Sequence, residues 1–589
     1  MNYNTIVIGS GCAGYNAADW LYDLGVKDIA VITEGINMGT SRNTGSDKQT
    51  YYKLTLAGDE PDSVYEMALT LFEGGSMHGD TALIQAACST KAFIKLVNLG
   101  LPFPVNRYGA YVGYKTDHDP RQRATSCGPL TSRLMTQALE NEVQRKGITI
   151  IDGYQVIKLL SENNQVYGLV AINQEGKDQK IITAKNIILA IGGPANIYAD
   201  TVFPQSQTGA TGLALEIGAL ACNLQEWQYG LASTDFRWNV SGTYQQVLPR
   251  YISVDANGNE EEFLPNYFKN PTQALDMVFL KGYQWPFDVR KIDGSSRIDL
   301  IVAQENAKGR TVYMDFRTNP SGLDFKLLSE ESYSYLQKSN ALFGTPIQRL
   351  AKMNPKAIEL YKNNGIDLYC EPLKVAVCAQ HCNGGIAVDA NWESSVKGLY
   401  VVGEAAGTFG IYRPGGSALN DTQVGAMRAA EHIASKKDHS TVFDTKPLSH
   451  TNISYAKYSN WRQKQEEIQT RMSQHAAYNR DPIEMKKLQQ DIQQLINNFF
   501  NDMQIACEKE IPQLYKFYHG LLTQNAALSA MLFSAEHIGS RGSAIVKDAQ
   551  IADNKFTGHV IITNANESYI EPVRPMPICD DWFETVWNS

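Results

Sequence analysis

At 589 residues and 65.4 kDa the chain is longer than one hydrophobic core usually supports, so two or three structural units are expected. With 43% apolar residues and a net charge of -9 it can fill large cores, and it lacks the clustered Lys and Arg that nucleic acid or an anionic membrane surface requires. No apolar run approaches about 18 residues and no signal-like segment precedes "NTIVIGSG", so a cytoplasmic small-molecule enzyme with no membrane insertion is expected.

The first elements are read from "YNTIVIGSGCAGYNAADWLYDLGVKDIAVITEG": a strand, a Gly-rich turn, an amphipathic helix and a second strand. Gly9, Gly11 and Gly14 form a GxGxxG turn, with Ser10 and Ala13 inside it. The first glycine permits the tight turn, the second lets the backbone approach a pyrophosphate, and the third lets helix and strand pack closely. Free N–H groups at the helix start suit the anion. Glu34, at the end of the second strand, is placed to accept from a ribose hydroxyl; a one-residue slip would put Thr33 there instead. This turn alone does not separate FAD from NAD.

Three later stretches extend the pattern: "GTSRNTGSDKQTYY" (39–52), "AKNIILAIGGPANIY" (184–198) and "VKGLYVVGEAAGTFGIYRPGGSALNDTQVGAMRAAEHIA" (396–434). The second and third each open as a buried strand closed by glycine, and the third continues as a helix from Gly415, Gly416 and Ser417. The nine cysteines show no CxxC or CxxCH, so neither a ferredoxin-type cluster nor a c-type haem is suggested. "CAQHC" at 378–382 lacks a fourth ligand and the usual spacing for a metal.

Taken together, these segments resemble the flavoprotein family of fumarate reductases, succinate dehydrogenases and L-aspartate oxidases, over most of residues 1–435. The resemblance implies an α/β fold: a discontinuous Rossmann-like FAD-binding domain (1–235 plus 369–435), an inserted α+β capping domain (236–368), and a C-terminal helical domain with its tail (436–589). It places Thr40, Ser41, Thr44, Gly45, Ala190, Gly192, Gly403, Glu404, Ser417 and Leu419 in the FAD site, beside the GxGxxG turn and Glu34. It sets the helix start at Ser417 against the flavin pyrimidine edge, where the positive dipole end would raise the reduction potential. Arg413 matches the arginine of "NRxGG" that grips a substrate carboxylate in a two-pronged hydrogen bond. His381, in "HCNGGI", matches the histidine that donates to a substrate carboxylate; read by itself it is a turn residue before a Gly pair.

The match also breaks in places. Gly230, in "QYGLA", stands where the family's "QFHPT" has a further carboxylate-binding histidine, so the slot is expected to have spare volume and the substrate not to be plain fumarate. "GATG" (209–212) replaces an acidic "TGDG" turn. Asp47 and Lys48 replace the glycine floor of the flavin site, where they either touch substrate or are solvated. No histidine lies between Thr33 and Tyr52, so FAD is expected to be held non-covalently.

In the insertion, "SSRIDLIVAQENAKGRTVYMDF" reads as Ser cap, helix, Gly stop and strand, and on the resemblance Arg297 is the proton-relaying arginine, with Arg290 and Arg250 in reserve. His118, Arg121 and Arg123 lie in a polar run that either lines the cleft or forms structural ion pairs. Near the end, "SAEHIGSRGSAIV" resembles the family's "EARGAHxRED", aligning Arg541 and Gly542, and the two terminal tryptophans are expected to tuck onto the body or an oligomer interface. The implied activity is hydride transfer between flavin N5 and a carbon of a small carboxylate substrate, with Arg297, His381 and Arg413 as the acting residues. The alternatives are a flavin-holding subunit that passes electrons to a redox protein partner, and a dehydrogenase of a hydroxylated substrate that is not a dicarboxylate.

Overall fold

The computed structural model describes residues 1–58, 60–436, 453–552, 556–564, 566–578 and 583–588. Strand β1 (Asn2–Ile8), helix α1 (Cys12–Asp23) and strand β2 (Ile29–Thr33) form the βαβ unit that the Gly-rich turn requires. β1 and β2 pair in parallel, Ile6 opposite Ala30 and Ile8 opposite Ile32. β2 is buried along its whole length, as a parallel strand covered on both faces must be. Strand β3 (Thr149–Asp152) extends the sheet beyond β2. The antiparallel strands β4 (Tyr154–Glu162) and β5 (Gln165–Asn173) lead into β6 (Gln179–Leu189), which returns to pair in parallel with β1.

A second sheet starts from β7 (Trp227–Ser233) and takes in β8 (Arg250–Val254), β9 (Thr311–Asp315) and β10 (Leu373–Cys382), in the order β7-β10-β9-β8. β9 follows helix α2 (Arg297–Ala307), with Gly309 at φ +76° between them. The expected edges of the insertion, 236 and 368, fall just after β7 and just before β10, so the insertion's own strands continue a sheet begun by the nucleotide-binding part. Ser296, read as the cap of α2, does not cap it: its hydroxyl accepts from the Asp288 N–H at 2.9 Å.

After β10 the chain re-enters the first sheet as β11 (Leu399–Val401) alongside β6. Helix α3 (Ser417–Ser435) then packs on α1, its Val424, Ala426, Ala429 and Ile433 sharing one core with Tyr15, Ala18 and Leu21. The C-terminal region carries three long helices, Trp461–His475, Pro482–Asp502 and α4 (Ile511–His537). It is not helical throughout. Strands His559–Thr563 and Ser568–Pro572 form an antiparallel pair that joins Ala221–Cys222 and Gly385–Ile386 in a four-stranded sheet, tying the tail to the nucleotide-binding part. Of the two terminal tryptophans, Trp582 lies outside the described residues. Trp587 is 75% exposed in the single chain. No described helix is long and apolar enough to cross a membrane.

Candidate functional site

A cavity of about 820 Å³ runs from the Gly-rich turn to the second sheet. Its far end is roofed by Gln246, Phe279, Tyr283, Trp285 and Tyr335 of the insertion. Of the residues singled out for cofactor binding, Gly9, Ser10, Gly11, Ala13, Glu34, Thr40, Ser41, Thr44, Gly45, Ala190, Gly192, Gly403, Glu404 and Leu419 line it. Gly14 does not. It lies under the turn, where a Cβ would sit 3.0 Å from the Gly9 carbonyl carbon and 3.3 Å from the Ala190 methyl, so its role is close packing.

The near end fits a dinucleotide. Gly9 has φ +111° and presses on the Ala190 backbone, which bends the chain sharply out of β1. Gly11 is the N-cap of α1 with no side-chain cap bond, leaving backbone donors at a positive helix end. The Thr40 hydroxyl is buried beside this turn without a partner among the described residues. Thr33, the alternative to Glu34, also lines the cavity, and its hydroxyl is paired with that of Ser10 at 2.8 Å. The Glu34 carboxylate lines the cavity and is also paired with Lys516 of α4.

At the far end, β7 and β10 run antiparallel with Gln228 opposite His381, next to a register shift between Gln228 and Tyr229 that re-aims the side chains. Arg413 reaches the same place from the loop before α3. Its Nε donates to Asn383 Oδ1 at 3.2 Å, Nη1 to Ser417 Oγ at 3.3 Å and Nη2 to Gln228 Oε1 at 2.7 Å. All three partners are neutral, and no described carboxylate comes within 4.0 Å of the guanidinium. Burial pulls its pKa down to about 10 against the pull of Glu404 and Asp421. His381 is 8% exposed; its Nδ1 lies 3.1 Å from Asn383 Oδ1, and its Nε2 is buried without a partner. Burial, reinforced by the Arg413 charge, holds this imidazole well below its ordinary pKa, so it is neutral. The two basic side chains therefore converge on one amide oxygen. Asn383 was not among the expected site residues, although it stands between His381 and the Gly pair of the same turn.

Four expectations need correction. Arg297, the first residue of α2, does not line the cavity: its Nη2 donates to the Tyr267 carbonyl at 2.7 Å and its guanidinium lies over the Phe268 ring. The inward side of α2 is taken instead by Asp299, fully buried with Lys281 at 2.5 Å. The reserves do no better, since Arg290 is forked onto Asp288 and stacked on Tyr412, and Arg250 is engaged by Glu260 and Glu262. Ser417 is also off the cavity wall, its hydroxyl spent between Arg413 and the Pro414 carbonyl, while Ala418 and Leu419 of the same helix start do line it.

Gly230 leaves no spare volume. A Cβ there would come within 2.9 Å of both the Trp285 ring and Gln380 Nε2, because the indole lies over the glycine and donates to Gln380 Oε1 at 2.7 Å. The Lys281 ammonium, 4.8 Å from the indole centroid, holds the ring from behind. The slot that a histidine would fill is thus a flat, neutral wall. Its signal in the sequence was the glycine, but the tryptophan that covers it comes from the insertion.

Asp47 and Lys48 both line the cavity, and Asp47 is buried, accepting from the Thr243 N–H at 2.8 Å and hydroxyl at 3.0 Å, which ties the floor to the insertion. In the polar run before residue 124, Arg123 is a fully buried structural ion pair with Asp62 and Asp119, and Arg121 pairs with Glu66. Neither they nor His118 line the cavity, though Lys115 and Asp117 do. Arg541 pairs with buried Glu226 at 2.7 Å, below the site. Among the described residues no group of three His, Cys, Asp or Glu side chains could hold a metal ion.

Asp421, in the second turn of α3, is fully buried and accepts from Thr408 Oγ1 at 3.0 Å and Gln85 Nε2 at 2.8 Å. Burial raises its pKa to about 7, with Thr408 and Arg413 opposing. Between about pH 4 and 7 the unfolded chain loses this proton and the folded chain keeps it, so the carboxyl costs stability as pH rises, and the cost levels off above pH 7. Asp421→Asn is expected to gain on the parent over that window, by roughly 2–4 kcal/mol at pH 7 and little at pH 4. Thermal unfolding of both proteins across this range measures it; a difference that does not grow with pH would refute the assignment.

A family model described as FAD binding domain matches residues 4–419. L-aspartate oxidase of Agrobacterium fabrum is 24% identical over 438 residues, covering 73% of this chain and 74% of the relative. A fumarate reductase (CoM/CoB) subunit of Methanothermobacter marburgensis is 24% identical over 434 residues, covering 72% and 71%. Among solved structures, E. coli quinol fumarate reductase FrdA superposes with a TM-score of 0.70 at 19% identity, covering 98% of each chain, which is a likeness of fold.

Proposed function

Because the chain belongs to the FAD binding domain family, we propose that this FAD-dependent oxidoreductase acts on a small carboxylate-bearing substrate held by Arg413 beneath the roof of the insertion. The observation that carries the reading is the state of Arg413. A buried cation without a carboxylate beside it is costly, and the guanidinium lines a cavity large enough for an anionic ligand as well as a dinucleotide. The three neutral partners fix the plane of the fork and leave it without a paired carboxylate, the arrangement that bidentate carboxylate capture needs.

Bound FAD supplies a flavin N5 that exchanges hydride with a substrate carbon. The glycine turn and the α1 start would hold the pyrophosphate, Glu34 the ribose, and the start of α3 the flavin. With no histidine in the 33–52 segment, the cofactor is held without a histidyl bond there. The insertion roofs the far end, where it would keep water from the reacting atoms. Trp285 and Gln380 present a neutral surface at the place of a second carboxylate ligand, which favours an acid with one carboxylate near Arg413 and a neutral or planar group beyond it.

An anaerobic titration tests the reading. Photoreduced holoenzyme is mixed with unsaturated acids carrying one or two carboxylates, and oxidised holoenzyme with their saturated counterparts, while the flavin band is followed. A monocarboxylic acid is expected to reoxidise or bleach the flavin faster than fumarate or succinate does. Silence of the band with every acid in both redox states would overturn the proposal.

A further inference from the structure

The amide of Asn383 has one orientation available. Its Nδ2 donates to two backbone carbonyls, Gly410 at 3.1 Å and Ile411 at 3.3 Å, and turning it over would set the NH2 group against the Nε–H of Arg413. Oδ1 therefore faces both Arg413 Nε and His381 Nδ1. An oxygen with no hydrogen can only accept, so Nδ1 of the imidazole carries the proton. The ring is neutral, hence Nε2 is left with a lone pair. This nitrogen is itself buried on the cavity wall, in a residue that is 8% exposed, and no described group donates to it. The titratable groups that face it are Arg413 and Glu404, the latter with Oε1 4.0 Å from Nε2 and accepting from the Cys382 N–H, its pKa raised by burial to about 7. Phe409 closes the other side, edge to face at 4.9 Å.

We infer that His381 meets its substrate as a hydrogen-bond acceptor, so that the group in front of Nε2 is an O–H or N–H and not a carboxylate oxygen. A carboxylate there would bring lone pairs against a lone pair. Resting on the acid reading above, this narrows the substrate to an acid that also carries a hydroxyl or amino group, the carboxylate on Arg413 and the donor on His381. Asn383 is the positioning residue, setting which nitrogen is free. The inference reverses the donor role that the resemblance implied for this histidine.

The test uses full-length holoenzyme labelled with 15N in its ten histidines, the His381 ring being assigned by its loss in His381→Gln. Long-range 1H–15N spectra are expected to show a pyrrole-type Nδ1 and a pyridine-type Nε2. Adding lactate or 3-phenyllactate should move Nε2 upfield, and the matched acids without the hydroxyl, propionate and 3-phenylpropionate, should leave it in place. A pyrrole-type Nε2 overturns the inference whatever the acids do. So does an Nε2 shift equal for an acid and its hydroxyl-free counterpart, or an Nε2 that no flavin-perturbing acid moves because the cofactor already donates to it. If no acid alters either the flavin band or the ring, the acid reading falls and the substrate assignment with it, a result distinct from loss of the inference alone.

Discussion

Arg413→Met is expected to lower kcat/KM for the acid substrate by about 10²–10³-fold while raising the melting temperature. The two effects come from one cause. Arg413 is 9% exposed, and its guanidinium is hydrogen-bonded to Asn383, Ser417 and Gln228, none of which carries charge. Glu404 and Asp421 offset part of its burial and an entering anion offsets more, so the resting protein carries a cost that the ligand complex reduces. Methionine fills similar length without a charge to desolvate, and two of the three polar partners retain other bonds: Asn383 on two carbonyls, Ser417 on Pro414. Arg413→Lys keeps the charge but loses the planar fork, so it is expected to retain more activity than Met yet fall well below the parent. Steady-state kinetics with calorimetry of the three proteins separate these terms. An Arg413→Met protein that is less stable but fully active would show that the arginine is structural, and the carboxylate reading would go with it.

The difference between what could be read in the sequence and what could not follows the range of each interaction. The GxGxxG turn is a local device: three glycines set by backbone sterics within six residues, and the strand, helix and strand around them needed no distant partner to be recognised. Arg413 and His381 were legible through the short patterns that hold them, although nothing in either pattern shows that one asparagine oxygen joins them. Arg297 misled because a position in a motif gives no side-chain direction; the inward side of α2 is filled by an Asp299–Lys281 pair whose two halves lie on different helices. Gly230 misled for a similar reason. Loss of a side chain makes room only if nothing else enters, and Trp285, brought in from the insertion, enters. Composition and periodicity likewise missed the strands after α4, which depend on pairing with Ala221–Cys222, some 340 residues away along the chain.

Gly11→Val is expected to abolish retention of FAD through purification while leaving the folded chain intact, and it is the sharpest test of where the pyrophosphate lies. The three glycines of the turn are not equivalent. Gly9 has a left-handed φ of +111°, and Gly14 is jammed against the Gly9 backbone, so a side chain at either would disturb the fold itself and any loss of cofactor would be ambiguous. Gly11 has φ -76° and ψ 178°, an extended conformation any residue adopts. A Cβ there meets only Ser41, with Oγ at 3.2 Å, a hydroxyl held by long contacts of 3.3 Å to Cys12 N–H and Sγ. The remainder of a valine side chain has nowhere to go except over the open N-terminus of α1, where an anion would sit on the backbone donors. Overpacking of this kind costs about 1–3 kcal/mol or more, roughly a 5- to 150-fold weaker complex. Far-UV circular dichroism and the melting temperature of cofactor-free protein should match between parent and variant, and absorbance near the flavin maximum should be lost only from the variant. Full flavin content in Gly11→Val would place the pyrophosphate away from α1 and would remove the physical basis for reading Gly9, Gly11 and Gly14 as a cofactor cradle.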